Sequence, residues 1–408
     1  MVQEKYTEKS RQINLSVTNG EITSVIRKSI TKSACRVYEN GCIGVAGKLG
    51  EADGELMNQA AENLKLGIPY EAEATAGKKR KEHYECGSFS VEDNDRFLKE
   101  AEEVLGILKK EYPQIIFGNK IRLAESATEL VNDAGTELVC SDRYLSMELL
   151  VKHVDSVNIM DDVLVYASRD FERDRFLREA REHLDAFLNQ VPLPEGGVLP
   201  LIVNPLQFGG FLIGHLDAQS FGDGTSFFNG KLGEKVFDDG FSFYVDRGKD
   251  NLNTAFFDVE GSTCAEDRCD LIRNGVLLRP YADKKLEKEF GYENTATAAG
   301  AYDSVPSNGD MCFAVEPSNR TLRELIGAGD GIYVTFMSGG DFTGEGDFAS
   351  PVQTAFLYRD GRLVGRLPEF GVSGNIYDIF GKNFVGLSSD RPYEGDRRLV
   401  VKMKLQRD

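Results

Sequence analysis

Four histidines and seven cysteines are the only nitrogen and sulfur side chains in this 408-residue chain suited to hold a transition metal. One of them, His215, stands where a metallopeptidase site could be built. It closes Gly209-Gly210-Phe211-Leu212-Ile213-Gly214-His215, a glycine-bracketed segment that follows the apolar run Leu199 to Val203 and can start a helix. A metalloprotease helix would put a histidine, a glutamate and a second histidine here, and only the last histidine is present. Asp217 and Asp223 follow within a few residues. Two residues on from His215, Asp217 faces away on a helix, so His215 reads as a structural or interface histidine. A metal site of His215 with Asp217 or Asp223 is the alternative.

The remaining donors are isolated. His83 and Cys86, and Cys264 and Cys269, have ligand-like gaps, but each is a single pair without a second pair nearby. His153 falls in an expected strand and His183 on an expected helix, with no nucleophile adjacent in sequence. Asp258 and Glu260, two residues apart on one strand face, could form a glycosidase-like carboxylate pair. Such enzymes usually hold the substrate between their carboxylates, and this chain has no tryptophan as a sugar platform, so both are read as orienting a turn at Gly261. Glycines 222, 224, 230 and 233 make no phosphate loop, because no Gly-Lys-Ser/Thr follows, and are read as shaping a loop around a cleft.

The elements that must position these residues fall in two groups. In the first, Ile13, Leu15 and Val17 alternate up to Asn19-Gly20, and Cys35 to Val45 repeats the pattern around Asn40-Gly41, which predicts a meander of strands. Leu56, Met57, Ala60, Ala61 and Leu64 give a helix that stops at Gly67 and Pro69. A longer helix is expected from an N-cap at Ser90 to Tyr112, with Phe97, Ala101, Val104, Leu105 and Leu108 inward. Strands at Ile121–Leu123, Leu138–Cys140, Tyr144–Val151 and Val163–Ala167 precede a second long helix over residues 171–190, which suggests a duplicated motif. The joint is Pro192 to Gly197, giving domains 1–191 and 196–408. Beyond it strands dominate, among them Ala255–Val259, Ile332–Met337 and Leu399–Leu405, with short helices at 282–290 and 320–326. The fold class is thus α+β, an amino-terminal sheet-and-helix domain followed by a largely β carboxy-terminal domain.

Composition narrows the function classes. With 41% hydrophobic residues the chain can bury two cores, and a formal charge of −18 repels phosphate backbones, so no nucleic-acid partner is expected. The one basic run, Lys78 to Lys81, reads as a solvated loop. No window of eighteen apolar residues and no charged-then-apolar leader occurs, which predicts neither a membrane span nor a secretory signal. An odd, irregular set of cysteines suits a reducing compartment, and a cytoplasmic location is expected.

Four segments, in order, resemble the TldD/PmbA family, known as gyrase modulators or peptide-maturation proteins. They are Val17-Thr18-Asn19-Gly20-Glu21-Ile22-Thr23-Ser24-Val25; Phe257-Asp258-Val259-Glu260-Gly261; Asp270 to Leu277, which contains Asn274-Gly275; and Gly361-Arg362-Leu363 with Pro368 and Gly374-Asn375-Ile376-Tyr377-Asp378. The resemblance implies a two-subunit particle that degrades or trims peptides. In its catalytic branch, TldD, a helix with His-Glu-x-x-x-His and a later cysteine hold zinc, and in the PmbA/TldE branch these are missing. Aligning the family's motif puts Gly210 at the first histidine and Phe211 at the glutamate, leaves His215 in place, and finds no cysteine from Val385 to Asp408.

The resemblance therefore implies a PmbA/TldE-like subunit with no cofactor on this chain and zinc on a TldD-like partner. Its expected partners are that TldD-like metallopeptidase subunit or a second copy of itself, joined through the carboxy-terminal domain, and an unfolded peptide. Substrate contacts are expected from His215, Gly222 and Gly224 in one glycine-dense loop and from Ser338, Gly339 and Gly340 in another. A self-sufficient metallopeptidase with other ligands and a protein-binding gyrase regulator are the alternatives.

Overall fold

The computed structural model describes the chain except for Cys86, Glu394, Arg407 and Asp408. Its first half starts with the meander β1 (Val2–Thr18), β2 (Glu21–Glu39) and β3 (Cys42–Leu49). Asn19 and Gly20, like Asn40 and Gly41, have φ of 52° and 72°, the left-handed pair that a two-residue hairpin turn requires. Helix α1 (Gly54–Asn63) is capped by Asp53, whose side chain accepts the Leu56 N–H at 2.9 Å, and it covers Cys35, Val37 and Ala46 with Leu56 and Ala60. The short strands β4 (Ile68–Pro69) and β5 (Lys79–Tyr84) and helix α2 (Asp95–Glu111) follow. The second meander is β6 (Ile115–Asn132), β7 (Glu137–His153) and β8 (Asp162–Ser168), closed by α3 (Arg173–Leu188).

The two meanders meet along β1 and β6, antiparallel from Glu4↔Asn132 to Val17↔Asn119. They form one eight-stranded sheet of order β4-β3-β2-β1-β6-β7-β5, with β8 also on β7, so the repeated strand–strand–strand–helix unit lies side by side in one layer. The expected short strands within residues 121–151 belong to a pair of unbroken long strands. The alternation is blurred there because their second face is only half buried and carries polar residues. Ser90 does not cap α2. Its hydroxyl accepts the Glu92 N–H at 3.2 Å in a local turn, and the helix begins at Asp95. The basic run is not a loop either, since β5 pairs parallel with β7 from Lys79↔Glu137 onward.

Past the Pro192–Gly197 joint come β9 (Val198–Val203), α4 (Gly209–His215), α5 (Ala218–Gly222), β10 (Phe243–Asp246), β11 (Arg268–Arg273), β12 (Val276–Leu277) and α6 (Lys284–Phe290). Then follow β13 (Ala298–Ala299), β14 (Ser307–Asn308), β15 (Phe313–Val315), α7 (Leu322–Ile326), β16 (Gly331–Phe336), β17 (Asp341–Phe342), β18 (Asp347–Val352), β19 (Thr354–Arg359) and β20 (Arg362–Arg366). The chain ends with β21 (Phe370–Asn375), α8 (Ile376–Ile379), β22 (Phe384–Leu387) and β23 (Leu399–Gln406). A nine-stranded sheet of order β17-β18-β21-β23-β9-β16-β19-β20, with β22 also on β23, and a four-stranded sheet β12-β11-β10-β15 carry this half.

The halves share a core. The apolar cluster around α2 and α3 includes Ile13, Leu15, Phe117 and Leu123 from the first sheet and Ile202, Tyr333, Phe356 and Val400 from the nine-stranded one. His183 on α3 is 3% exposed, and its Nε2 lies 2.6 Å from Asp162, whose other oxygen accepts the Thr335 hydroxyl at 2.8 Å. That buried chain ties α3 to β8 and β16. On the opposite face of the first sheet, Tyr6, Ala34 and Leu130 pack against Phe256 and Phe257. The strand expected over Ala255–Val259 is instead a turn-rich segment. Arg247, 1% exposed, donates to the carbonyls of Ala255, Phe257 and Ala296, so those groups are paired to a side chain rather than a ladder.

Candidate functional site

Helix α4 follows β9 directly, so the apolar run that fills the nine-stranded sheet also fixes where the helix starts. Phe211 and Leu212 turn inward while Gly210 and Gly214 face outward. The Phe211 ring lies 4.4 Å from the His215 ring, 5.1 Å from Phe227 and 4.8 Å from Phe342, centre to centre. Phe342 in turn sits 4.8 Å from Phe348. These rings join the two glycine-dense loops, 215–230 and 338–344, into one aromatic wall. Beside it Asp341, Thr343, Asp347, Phe348, Asn375 and Lys404 border a cavity of about 670 Å³, within the range of ligand sites.

One ring nitrogen of His215 is engaged in this arrangement. Its Nδ1 accepts the Phe227 N–H at 3.1 Å, and its backbone carbonyl accepts the Ser226 hydroxyl at 2.6 Å. Burial pushes the imidazole pKa down, which favours the neutral ring that this acceptor role needs. Asp217 is engaged elsewhere: it caps α5 through the Gln219 N–H at 3.0 Å and accepts the Asn308 amide at 2.9 Å. Asp223 accepts the Gln219 side chain at 3.0 Å at the other end of α5. A Cβ on Gly210 would meet nothing within 4 Å, so the position is open and offers no donor. Among the described residues no three His, Cys, Asp or Glu side chains stand close enough to share a metal ion, and the groups around His215 do not fit zinc.

The glycines differ in what they do. At Gly222 a Cβ would lie 2.3 Å from the Phe290 ring, so this glycine lets α5 and α6 touch. Gly224, with φ of 70°, turns the chain out of α5. Ser338 is clamped by Gln353, which accepts its N–H and donates to its carbonyl, both at 3.0 Å. Gly339 has φ of 88°, and a Cβ on Gly340 would fall 2.2 Å from Ser350, so that loop is pressed onto β18. Ser338, Gly339 and Gly340 therefore approach the aromatic wall through their neighbour Phe342.

The other sequence candidates are structural. His83 pairs with the Ser141 hydroxyl at 2.7 Å, and Cys86 lies outside the described residues. His153 accepts the Asp155 N–H at 3.2 Å in a turn. Cys264 donates to the Thr295 carbonyl at 3.2 Å. Asp258 and Glu260 do not lie on a strand. One Asp258 oxygen accepts the N–H groups of Glu260 and Ser262 at 2.9 and 2.8 Å, the other accepts Ala298 at 3.0 Å, and Gly261 has φ of 72°. The geometry bears out the turn reading for Asp258, whereas the Glu260 carboxyl accepts the Tyr70 hydroxyl and the Lys284 N–H, the latter at 3.2 Å, and orients no turn. Both carboxyls are buried, and burial first, then Asp258, pushes Glu260 up to about 8.

Sequence reading missed two things. The aromatic wall could have been suspected from Phe227-Phe228, an apolar pair inside a hydrophilic glycine loop. The buried pair Arg36–Glu4, at 3.5 Å and both at most 1% exposed, left no such signal, because charged residues in a strand read as outward-facing until the other half of the chain covers them.

Comparison with known proteins gives these observations a family. The model described as PmbA/TldA metallopeptidase C-terminal domain matches residues 196–399. A metalloprotease of Methanothermobacter thermautotrophicus is 28% identical over 203 residues, which is 48% of this chain and 44% of that protein. A zinc metalloprotease TldD homolog of Saccharolobus solfataricus is 25% identical over 210 residues, 48% of this chain and 46% of its own. The chain thus spans about half the length of the curated relatives it matches. The crystal structure of TldE from Thermococcus kodakarensis superposes with a TM-score of 0.78 at 20% identity, covering 99% of this chain and 96% of that one. With the family model matched over half its residues, this chain belongs to the PmbA/TldD family.

Proposed function

We propose that this chain is a PmbA/TldE-like subunit that acts on unfolded peptides beside a TldD-like metallopeptidase, and that it holds no zinc of its own. The observation that carries the reading is the state of α4. Phe211 fills the place of a catalytic carboxylate and packs on His215, whose Nδ1 is already bonded to the Phe227 N–H. A zinc-bound water there would lack both a general base and two further ligands. The aromatic wall and the adjoining cavity support a role in lining a peptide chamber, with zinc supplied by the partner chain or the wall supplied twice by a second copy. Among the described residues no helix is long and apolar enough to cross a membrane, and the described cysteines are unbridged, which supports the cytoplasm as the compartment.

The test is metal content and peptidase activity of the purified chain, alone and mixed with a TldD-like chain. Alone it is expected to carry no stoichiometric zinc and to leave an unfolded peptide intact, and the mixture is expected to cleave. Zinc at about one per chain, with both metal and cleavage lost in His215→Ala, would instead establish a self-sufficient metallopeptidase. Hydrogen exchange unchanged in both loops when peptide and partner are added would remove the chamber-lining role.

A further inference from the structure

Cys264 and Cys269 take no part in the site around α4. Between them Ala265–Asp267 make a single turn, in which Glu266 and Asp267 have positive φ, 52° and 59°, and the Asp267 N–H donates to the Cys264 carbonyl at 3.2 Å. Two successive left-handed residues fold the chain back on itself, so Cys269, on β11 opposite Val245 of β10, returns beside Cys264. Both side chains pack against the carboxy-terminal apolar core and stay partly exposed, with Ala265 and Glu266 outermost. The turn also lies where the two halves meet. The Asp267 carboxylate accepts both terminal nitrogens of Arg80 on β5, at 2.5 and 2.7 Å, and its carbonyl accepts the Arg247 N–H at 2.8 Å.

The two sulfurs are hydrogen-bonded to each other, and both face residues 293–295. The Cys264 Sγ donates to the Thr295 carbonyl at 3.2 Å, and the Arg279–Glu293 ion pair stands beside Cys269. The bond from Cys264, with Arg279 adding to it, holds the Cys269 thiol below its ordinary pKa against the effect of burial. The same bond, together with burial, pushes Cys264 up. One sulfur thus has thiolate character while its neighbour keeps a proton, the arrangement of a nucleophilic cysteine with a resolving partner. Cys35, Cys140 and Cys312 differ: all three are buried, and burial pushes their thiols up.

We propose that Cys264 and Cys269 are a site of reversible oxidation by a hydroperoxide, closing to a disulfide that fixes the turn bound by Arg80. The Cys269 thiolate attacks one peroxide oxygen: an S–O bond forms, the O–O bond breaks, and the leaving oxygen takes a proton from water. The Cys264 sulfur then attacks the Cys269 sulfenic acid. The S–S bond forms, the S–O bond breaks, and the departing hydroxide takes the Cys264 proton to leave as water. The two sulfurs together lose two electrons, and the peroxide gains them. A dithiol reverses the bond by thiol–disulfide exchange, as a transient disulfide in a reducing compartment requires. The inference stands apart from the accessory-subunit reading, because it uses none of the residues of α4 or its loops.

The full-length chain, reduced and then treated with hydrogen peroxide, is alkylated, cut with trypsin and mapped by mass spectrometry. Trypsin cuts after Arg268, between the two cysteines, so the disulfide is expected to join peptides 250–268 and 269–273. The intact chain keeps its monomer mass less two hydrogens, and dithiothreitol before alkylation separates the peptides. Cys264→Ser is expected to leave a sulfenic acid on Cys269 that dimedone traps, and Cys269→Ser to leave Cys264 a free thiol. Hydrogen exchange over residues 264–268 is expected to slow on oxidation and to recover with dithiothreitol. Absence of the joined peptides from peroxide-treated wild type, or a link from either cysteine to any other, overturns the site whether or not the serine variants fold. Sulfenic acid formed on Cys264 in Cys269→Ser as fast as on Cys269 in Cys264→Ser overturns the assigned order of attack. Unchanged exchange over the turn overturns its fixing by the disulfide.

Discussion

Replacing Arg36 by methionine isolates what the charges buried where the two halves meet contribute. Arg36 hydrogen-bonds the Val259 carbonyl of the other half, lies 3.5 Å from Glu4, and stacks its guanidinium 4.9 Å from the Tyr6 ring centre. Methionine keeps most of the volume and removes the charge. Removing one partner of a buried pair costs about 3–5 kcal/mol, because the other charge stays buried without compensation. Glu4 would retain the Tyr38 hydroxyl at 2.9 Å and the Asn132 amide at 3.1 Å, so the low end, about 3 kcal/mol, is expected. Adding Glu4→Gln to Arg36→Met removes that orphaned charge and leaves a neutral side chain that still accepts from Tyr38. The double variant should then cost about 1 kcal/mol, the worth of one imperfect hydrogen bond. Equilibrium urea unfolding of the wild type, both single variants and the double variant closes the cycle. Hydrogen exchange over residues 255–262 should rise in Arg36→Met, since Val259 loses its tie. Additive single-variant costs, or an Arg36→Met cost below about 1 kcal/mol, would refute the view that these charges form a coupled, desolvated unit.

Three further outcomes are expected. Glu260 has a folded pKa of about 8 against an ordinary value of 4.5, so between these values the folded form holds a proton that the unfolded chain has released. Its contribution is fully present below pH 4.5 and lost as pH rises through 8, and Glu260→Gln should flatten the decline of the urea midpoint over that window. Gly222→Ala should destabilise by about 1–3 kcal/mol, because the new methyl meets the Phe290 ring, while Gly214→Ala, with open space at its Cβ, should stabilise α4 by about 0.5–1 kcal/mol; thermal melts give both signs. Gly210→His with Phe211→Glu should not create a zinc centre measurable by elemental analysis, since a third ligand and the hydrogen bonds that would orient the new side chains are still absent.

Local rules carried the first half of the fold a long way. The inward faces of α2 and α3 follow from spacing alone, and the two Asn-Gly turns follow from the φ they demand. Local rules failed where partners are distant in sequence. The segment Ala255–Val259 has the apolar content of a strand, yet Arg247 takes its carbonyls and the first sheet takes Phe256 and Phe257. No residue within that segment announces an arginine that reaches it from just past the end of β10. The strands β18 and β21 were invisible for a related reason: Pro351, Gly371 and Gly374 are poor strand formers, and only pairing from Asp347↔Asn375 to Val352↔Phe370 makes them a ladder.

At the candidate site the sequence puts Gly210 and Phe211 before His215, and the structure shows how these residues are packed. A missing histidine and glutamate could have left a cavity, which water or a non-standard ligand would fill. Instead Phe211 is 9% exposed and bound into a chain of rings running from His215 through Phe342 to Phe348, and the Phe227 N–H on Nδ1 keeps the proton of the neutral imidazole on Nε2, so that neither ring nitrogen is free for a metal while the bond holds. A metal recruited by His215 would first have to break that hydrogen bond and separate the Phe211 and His215 rings, an aromatic pair being worth about 0.5–1.5 kcal/mol beyond its buried area. The aromatic packing therefore opposes recruitment of a metal by His215, and it turns the end of α4 into a preformed apolar surface joining the two glycine-dense loops.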